Sequence, residues 1–311
     1  MYNRNKRNCI NYGVLLIFMA LFIKCDNAVT INTQTNDNIP IEFSIEGDGT
    51  PVFLVGGLLG MGSNYLTSVS KNLSENGYKV YLINIRNVCN EDINDYQDLT
   101  LNKITDDLER LRVKEGIEKI HLFGDLFGTI VCMNYSLKYK ESVNKIILSN
   151  PIGISSNDFE KPLYTQYLNK FEPNTKQMYI EVLSNDNYIS DSLFRKKTNS
   201  LITLDNLTNK TLHNQVNNTF FNENCYSLLT EFILDRNLRK IKFNLGKDLS
   251  KIHSSVLIIY GEKDSFCKEH SNKIDSLYPN SELVEIGNTK QFTWIENSEI
   301  FYLNLDKFLK K

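Results

Sequence analysis

Gly124-Asp-Leu-Phe-Gly128 carries the glycine spacing of G-x-S-x-G, the sharp strand-to-helix turn that presents an attacking serine at its tip. The tip here is Leu126, which has no atom able to attack a carbonyl. Three readings follow: a chance pair of glycines, a different nucleophile, or a scaffold that has lost its chemistry. Asp125 is the nearest replacement, since a carboxylate can act as nucleophile, but it stands one residue ahead of the tip. Cys132 falls inside the following helix and reads as a small buried residue. His121 lies in the strand before the turn, where a packed histidine is expected rather than a base. His270 is expected on a solvated helix face.

The elements that would position this turn are legible around it. Apolar runs at 39–45, 51–55, 78–85, 119–123, 144–149, 255–260 and 282–286 read as strands, and helical spacing is present over 64–76, 101–115, 129–139, 270–277 and 299–309. Strands alternating with helices at this spacing build right-handed βαβ units and a parallel sheet, so the fold class is α/β. Between 155 and 251 no buried strand is legible, and stretches such as 225–238 are helical. The expected division is a leader or anchor at 1–28, a core in two parts at 29–154 and 252–311, and a helical cap inserted at 155–251.

Four more stretches stand in a characteristic order: Val55-Gly-Gly-Leu-Leu-Gly-Met-Gly62; Asp107-Leu-Glu-Arg-Leu-Arg112 with Gly116-Ile-Glu-Lys119; Ile258-Ile-Tyr-Gly-Glu-Lys-Asp264; and Ile286-Gly-Asn-Thr-Lys-Gln-Phe-Thr-Trp-Ile-Glu-Asn297. With these the chain resembles the α/β hydrolases, nearest the proline iminopeptidase (prolyl aminopeptidase)-like branch, over about residues 39 to 309. The resemblance implies an α/β-hydrolase fold, a mostly parallel central sheet flanked by helices with an inserted helical cap. It also implies oxyanion-hole amides at Leu58 and Phe127, the triad acid at Asp264, and the triad histidine position at Gln291. The serine position falls on Leu126.

The departures are concentrated in the chemical residues. A glutamine amide is no base near neutral pH, and losing serine or histidine alone costs about 10⁶ in kcat in a triad enzyme, roughly 8 kcal/mol. Val55 replaces the histidine of the H-G-G loop, and Asn84-Ile-Arg-Asn-Val-Cys-Asn90 lacks the family's turn glycines, whereas Gly124 and Gly128 are kept. Asp264 is then a remnant triad acid or a structural acceptor for the Gln291 amide. Leu126, with Val55, Phe127, Phe292 and Trp294 near it by the resemblance, either plugs the former site or lines an apolar pocket.

The leading expectation is therefore a hydrolase-fold protein without hydrolysis, serving as a binding or interaction module for a small apolar ligand or a protein partner. The alternative is an atypical working hydrolase, a peptidase or esterase. In that case a cap acid among Glu172, Asp186, Asp191, Glu223 and Glu231 would receive a substrate amine.

Composition narrows the rest. At 311 residues, 41% hydrophobic and 23% charged, the chain reads as ordinary globular sequence. Its 35 Lys and Arg against 37 Asp and Glu, net charge -2, argue against a nucleic-acid partner. Arg4, Lys6 and Arg7 precede an apolar run at 12–23, the pattern of a secretory signal. The run is short against the roughly 20 residues of a membrane span. Export is expected from it, to a secreted or surface-held state, with a retained anchor as the alternative. A lipoprotein-like box at Cys25 is a minor reading that Lys24 opposes. Cys89, Cys132, Cys225 and Cys267 are widely spaced, the histidines are scattered, and neither a metal nor a cofactor is expected.

Overall fold

Val52, Phe53, Leu54 and Val55 form an unbroken apolar run with no exposed side chain, as a strand covered on both faces requires. Ile146 to Leu148 and Val256 to Ile259 repeat the pattern. In the computed structural model these runs are central strands of one seven-stranded sheet. The structure describes residues 33–34, 40–57, 60–86, 88, 98–161, 166, 169, 171–183, 200–201, 203–221 and 227–311.

The sheet strands are β1 (Phe43–Glu46), β2 (Thr50–Val55), β3 (Tyr78–Ile83), β4 (Ile120–Asp125), β5 (Val143–Ser149), β6 (Ser255–Gly261) and β7 (Ser281–Ile286), in the order β1-β3-β2-β4-β5-β6-β7. β1 pairs antiparallel with β3; all other pairings are parallel. The helices are α1 (Thr67–Glu75), α2 (Leu101–Lys114), α3 (Phe127–Lys138), α4 (Pro173–Leu183), α5 (His213–Phe221), α6 (Leu228–Lys240), α7 (Ser265–Asp275), α8 (Thr293–Glu296) and α9 (Ser298–Lys310). Two apolar clusters fill the molecule, one holding Leu108, Ile130 and Ile146, the other Leu66, Leu73, Ile259 and Phe301. The mostly parallel sheet with flanking helices is the α/β-hydrolase architecture expected from the sequence.

Local chemistry sets the boundaries. The Thr100 hydroxyl accepts the Lys103 N–H at 3.3 Å and starts α2. That helix buries Ile104, Leu108 and Leu111 on one face and stops before Gly116, at φ 66°. Arg86, just past β3, makes a two-pronged pair with Asp107 on α2, Nε to Oδ2 at 2.6 Å and Nη2 to Oδ1 at 2.5 Å, both side chains buried. Between β5 and β6 the described residues contribute α4, α5 and α6 and no strand of the sheet.

Three expectations need correction. The helix read at 270–277 begins at Ser265, because the Asp264 carboxylate takes the Phe266 and Cys267 N–H groups, both at 3.0 Å, and caps it. His270 on that helix is buried rather than solvated, its ring edge-on to Phe266 with centroids 4.8 Å apart. The expected localisation is also overturned. Among the described residues no helix is long and apolar enough to cross a membrane. The apolar run at 12–23, the 1–28 leader and Cys25 lie outside the described residues, so no anchoring segment is shown.

Candidate functional site

In parallel α/β sheets, ligands bind beyond the carboxyl ends of the strands. β4 ends at Asp125, and the chain turns at Leu126 directly into α3. Leu126 sits at φ 52° and ψ -115°, a backbone region costing a non-glycine residue on the order of 1 to 3 kcal/mol. Its N–H donates to the Ser149 carbonyl at 3.1 Å, and its own carbonyl accepts from Thr129 N–H at 3.1 Å and Thr129 Oγ1 at 2.6 Å. The flanking glycines are required by contact. A Cβ on Gly128 would lie 1.9 Å from the Val55 carbonyl oxygen, and one on Gly124 would lie 2.4 Å from the Gly128 oxygen. The turn thus keeps the backbone of a nucleophile elbow while its side chain is an alkyl group.

That side chain is closed off. Leu126 is 0% exposed and belongs to the same apolar cluster as Val55 and Phe127. Phe292 and Trp294 belong to the other cluster, with Met61 and Tyr65. The five residues expected around one pocket are therefore divided between two packed regions.

The expected oxyanion amides fare unequally. Leu58 lies outside the described residues. The Phe127 N–H donates to the Gly57 carbonyl at 3.2 Å, so this donor is already taken by the protein's own backbone. Gly57, at φ 102°, donates its N–H to Tyr65 Oη at 2.7 Å. Tyr65 Oη in turn donates to Asp125 Oδ2 at 2.6 Å. Asn150 Nδ2 donates to Asp125 Oδ1 at 3.1 Å and to the Gln291 carbonyl at 2.8 Å. One buried network therefore ties the elbow, the Gly57 loop, the end of β5 and the Gln291 loop together.

Asp125 is the centre of that network and has no exposed surface. Burial pushes its carboxyl up to about 6, opposed by the hydrogen bonds from Tyr65, Ser149 and Asn150, with the Asp264 charge adding a smaller upward push. Gln291 is buried, and its Nε2 has no hydrogen-bond partner. It does not bond Asp264, whose Oδ1 is committed to the start of α7. The helix N–H groups, which lack intrahelical partners, win the carboxylate over a neutral amide.

The other candidates stand apart from the turn. His121 is at the opposite end of β4, about 13 Å of strand from Asp125, and burial first, then the Lys145 charge, lowers its pKa to about 4. Cys132 is fully buried in α3, where burial pushes its thiol up. Of the acids expected in a cap, Glu172 is exposed, Glu231 is half-buried against Gly60, and Asp186, Asp191 and Glu223 lie outside the described residues. Among the described residues no group of three or more His, Cys, Asp or Glu could hold a metal ion.

Sequence reasoning missed Tyr65, Asn150 and Asp205. Asp205 joins Phe171 and Asn206 opposite Lys263, Asp264 and Lys290 around a polar cavity of about 60 Å³. Its Oδ1 accepts the Glu172 N–H at 3.2 Å, and the Lys290 ammonium donates to its carbonyl at 2.6 Å. Nothing in the spacing of Tyr65 or Asp205 marked them, because both meet the site from distant segments. Asn150, directly after a buried strand and at φ 48°, did carry a signal, since Asn tolerates that backbone region.

Known proteins share the fold. Residues 50–298 match the family model described as alpha/beta hydrolase fold. A 2-hydroxy-6-oxononadienedioate/2-hydroxy-6-oxononatrienedioate hydrolase of Comamonas testosteroni is 25% identical over 286 residues, covering 88% of this chain and 92% of that protein. The proline iminopeptidase PfmaB of Pestalotiopsis fici is 24% identical over 221 residues, covering 68% of this chain and 75% of its own. An alpha/beta fold family hydrolase from Bacillus anthracis superposes with a TM-score of 0.71 at 17% identity, over 89% of this chain and 98% of that one. The last likeness carries the fold alone.

Proposed function

Since the chain belongs to the alpha/beta hydrolase fold family, we propose that it keeps the family's scaffold without its hydrolytic chemistry and acts as a binding or interaction module. One observation carries the reading: the elbow backbone is intact at φ 52° and ψ -115°, yet its tip is a fully buried leucine. Two more support it. The base position holds an amide, Gln291, and the Phe127 N–H is spent on the Gly57 carbonyl.

Residues 155–251 act as a cap on this reading. Contacts from the segment reach the strand ends, with Ser227 N–H donating to the Gly60 carbonyl at 2.8 Å and Gln291 N–H to the Asn206 carbonyl at 3.4 Å. Leu126 acts as a plug. The cavity beside Asp264 is polar and about 60 Å³, far below the roughly 300 Å³ at which small-molecule sites begin, and does not suit a small apolar ligand.

The rival reading is a working hydrolase using another nucleophile, and it draws on the relatives named as hydrolases. Asp125 is a poor candidate for that role, since both its oxygens accept buried hydrogen bonds. The test is hydrolysis of a proline arylamide and a short-chain aryl ester by the full chain, beside a Leu126→Ser/Gln291→His variant. A silent natural protein with a variant that gains turnover upholds the proposal. Turnover by the natural protein, lost in Asp125→Asn, refutes it.

A further inference from the structure

Between Asp235 and Asp248, residues 236–247, Arg-Asn-Leu-Arg-Lys-Ile-Lys-Phe-Asn-Leu-Gly-Lys, hold five of the chain's 35 Lys and Arg and none of its 37 Asp and Glu. In a chain of net charge -2 this is a local reversal of sign. The last turn of α6 accounts for part of it, because cations there complement the helix dipole at Arg239 and Lys240. Lys242 and Lys247 lie beyond the helix and need another explanation.

The fold turns this segment around a surface groove of about 700 Å³, within the range of small-molecule sites. Its floor is rigid. Ser155 bridges Asn244 antiparallel, Ser156 N–H donates to the Phe243 carbonyl at 3.0 Å, and Leu245 N–H donates to the Ile154 carbonyl at 2.9 Å. Arg239, Lys242 and Lys247 line the groove, with Asn157 as a neutral polar group and Glu160 as the one carboxylate among its lining residues. Elsewhere Lys138, Lys251, Lys268, Lys273 and Lys311 each meet a carboxylate, whereas Lys71, Lys114 and Lys119 meet none among the described residues but do not share this groove with its cations. Among the described residues Lys242 and Lys247 have no such partner, and Arg239 pairs with Asp235 at 2.7 Å on two of its five donors' worth of geometry, Nε going to the Asp235 carbonyl at 3.2 Å.

We infer that this groove binds a small molecule bearing a phosphate-type dianion. Arg239, Lys242 and Lys247 against Glu160 and Asp235 leave the groove a residual positive charge, carried by the two lysines, and a dianion offsets it while accepting charge-assisted hydrogen bonds from the ammonium and guanidinium groups. A single concavity suits a compact anion; a nucleic-acid strand would call for a cationic track. Phe243, half-buried and packed on Phe159 with centroids 6.3 Å apart, offers an apolar surface for the remainder of the molecule. The groove shares no lining residue with the cavity beside Asp264, so the inference stands whether or not the chain hydrolyses anything.

The test is calorimetric titration of the full chain with inorganic pyrophosphate at low ionic strength, where screening is weak. The expected result is saturable binding that falls about tenfold or more in Lys242→Ala/Lys247→Ala, and equally in Lys242→Gln/Lys247→Gln, which preserves stem length. Lys114→Ala/Lys119→Ala, an equal loss of charge elsewhere, is expected to leave the affinity unchanged. Circular dichroism confirms that each variant is folded. Absence of binding at millimolar pyrophosphate overturns the inference, as does equal weakening in the Lys114/Lys119 control. Binding of an oligoglutamate peptide but not pyrophosphate also overturns it, and assigns the groove to an acidic polypeptide instead.

Discussion

The Phe127 amide donates to the Gly57 carbonyl at 3.2 Å. In an acyl-transfer enzyme built on this turn, that amide would face the developing oxyanion. Here two segments that should leave a space between them are joined by a hydrogen bond. Restoring the missing side chains therefore leaves the oxyanion donor occupied and the carboxylate of Asp264 committed to the start of α7. A lost oxyanion donor costs about 10² to 10³ in kcat. The Leu126→Ser/Gln291→His variant is accordingly expected to hydrolyse an activated aryl ester only slowly, and Tyr65→Phe, which releases the Gly57 N–H but not the Phe127 amide, is expected to bring no gain. Steady-state rates on p-nitrophenyl acetate check this; a Tyr65→Phe addition that speeds the variant contradicts the assignment.

Leu126 combines a strained backbone with a well-packed side chain, and the two can be separated. Leu126→Ala removes buried methyl groups and is expected to cost about 2 to 5 kcal/mol. Leu126→Gly removes slightly more surface but relieves the positive φ, so it is expected to match or exceed the alanine variant in stability. At ordinary backbone positions that order is reversed. Urea midpoints of the two proteins decide it.

Tyr65 bridges Gly57 N–H at 2.7 Å and Asp125 Oδ2 at 2.6 Å in a buried setting. Tyr65→Phe leaves both without that partner, with an expected loss of about 1 to 3 kcal/mol in unfolding free energy. A smaller loss in the Asp125→Asn background would show that the two residues act through one bond, which a double-mutant cycle measures directly.

Asp125 makes folding stability depend on pH. Its folded pKa, about 6, lies above the unfolded carboxylate value, so between those limits the folded state holds the extra proton. Its favourable contribution is full below about pH 4 and is lost as pH rises through about 6. The natural protein is therefore expected to lose stability relative to Asp125→Asn over that window. Unfolding free energies of both proteins measured from pH 4 to 7 test the sign.

Gly128 approaches β2 so closely that a methyl group would sit 1.9 Å from the Val55 carbonyl oxygen. Gly128→Ala must separate α3 from β2, and its expected cost is about 3 kcal/mol or failure to fold. Gly116→Ala, where a Cβ meets nothing within 4 Å, serves as the contrast at positive φ alone.

The sequence by itself determined the strand and helix order, the sharp turn at Leu126 and the lack of a hydroxyl or thiol at its tip. These are local properties: apolar periodicity, glycine spacing and side-chain type are fixed by residues close together in the chain. The start of α7 was also legible in principle, since an Asp-Ser pair ahead of a helix is a capping signal. Tertiary structure alone decided that Asp264 caps a helix rather than meeting Gln291, and that His270 is buried against Phe266. It also decided that Phe292 and Trp294 pack apart from Leu126, and that Tyr65 reaches across 60 residues of chain to Asp125. Each outcome is a competition among partners distant in sequence. A carboxylate, an amide or an indole can satisfy itself in several ways, and only the folded geometry sets which partner lies within about 3 Å.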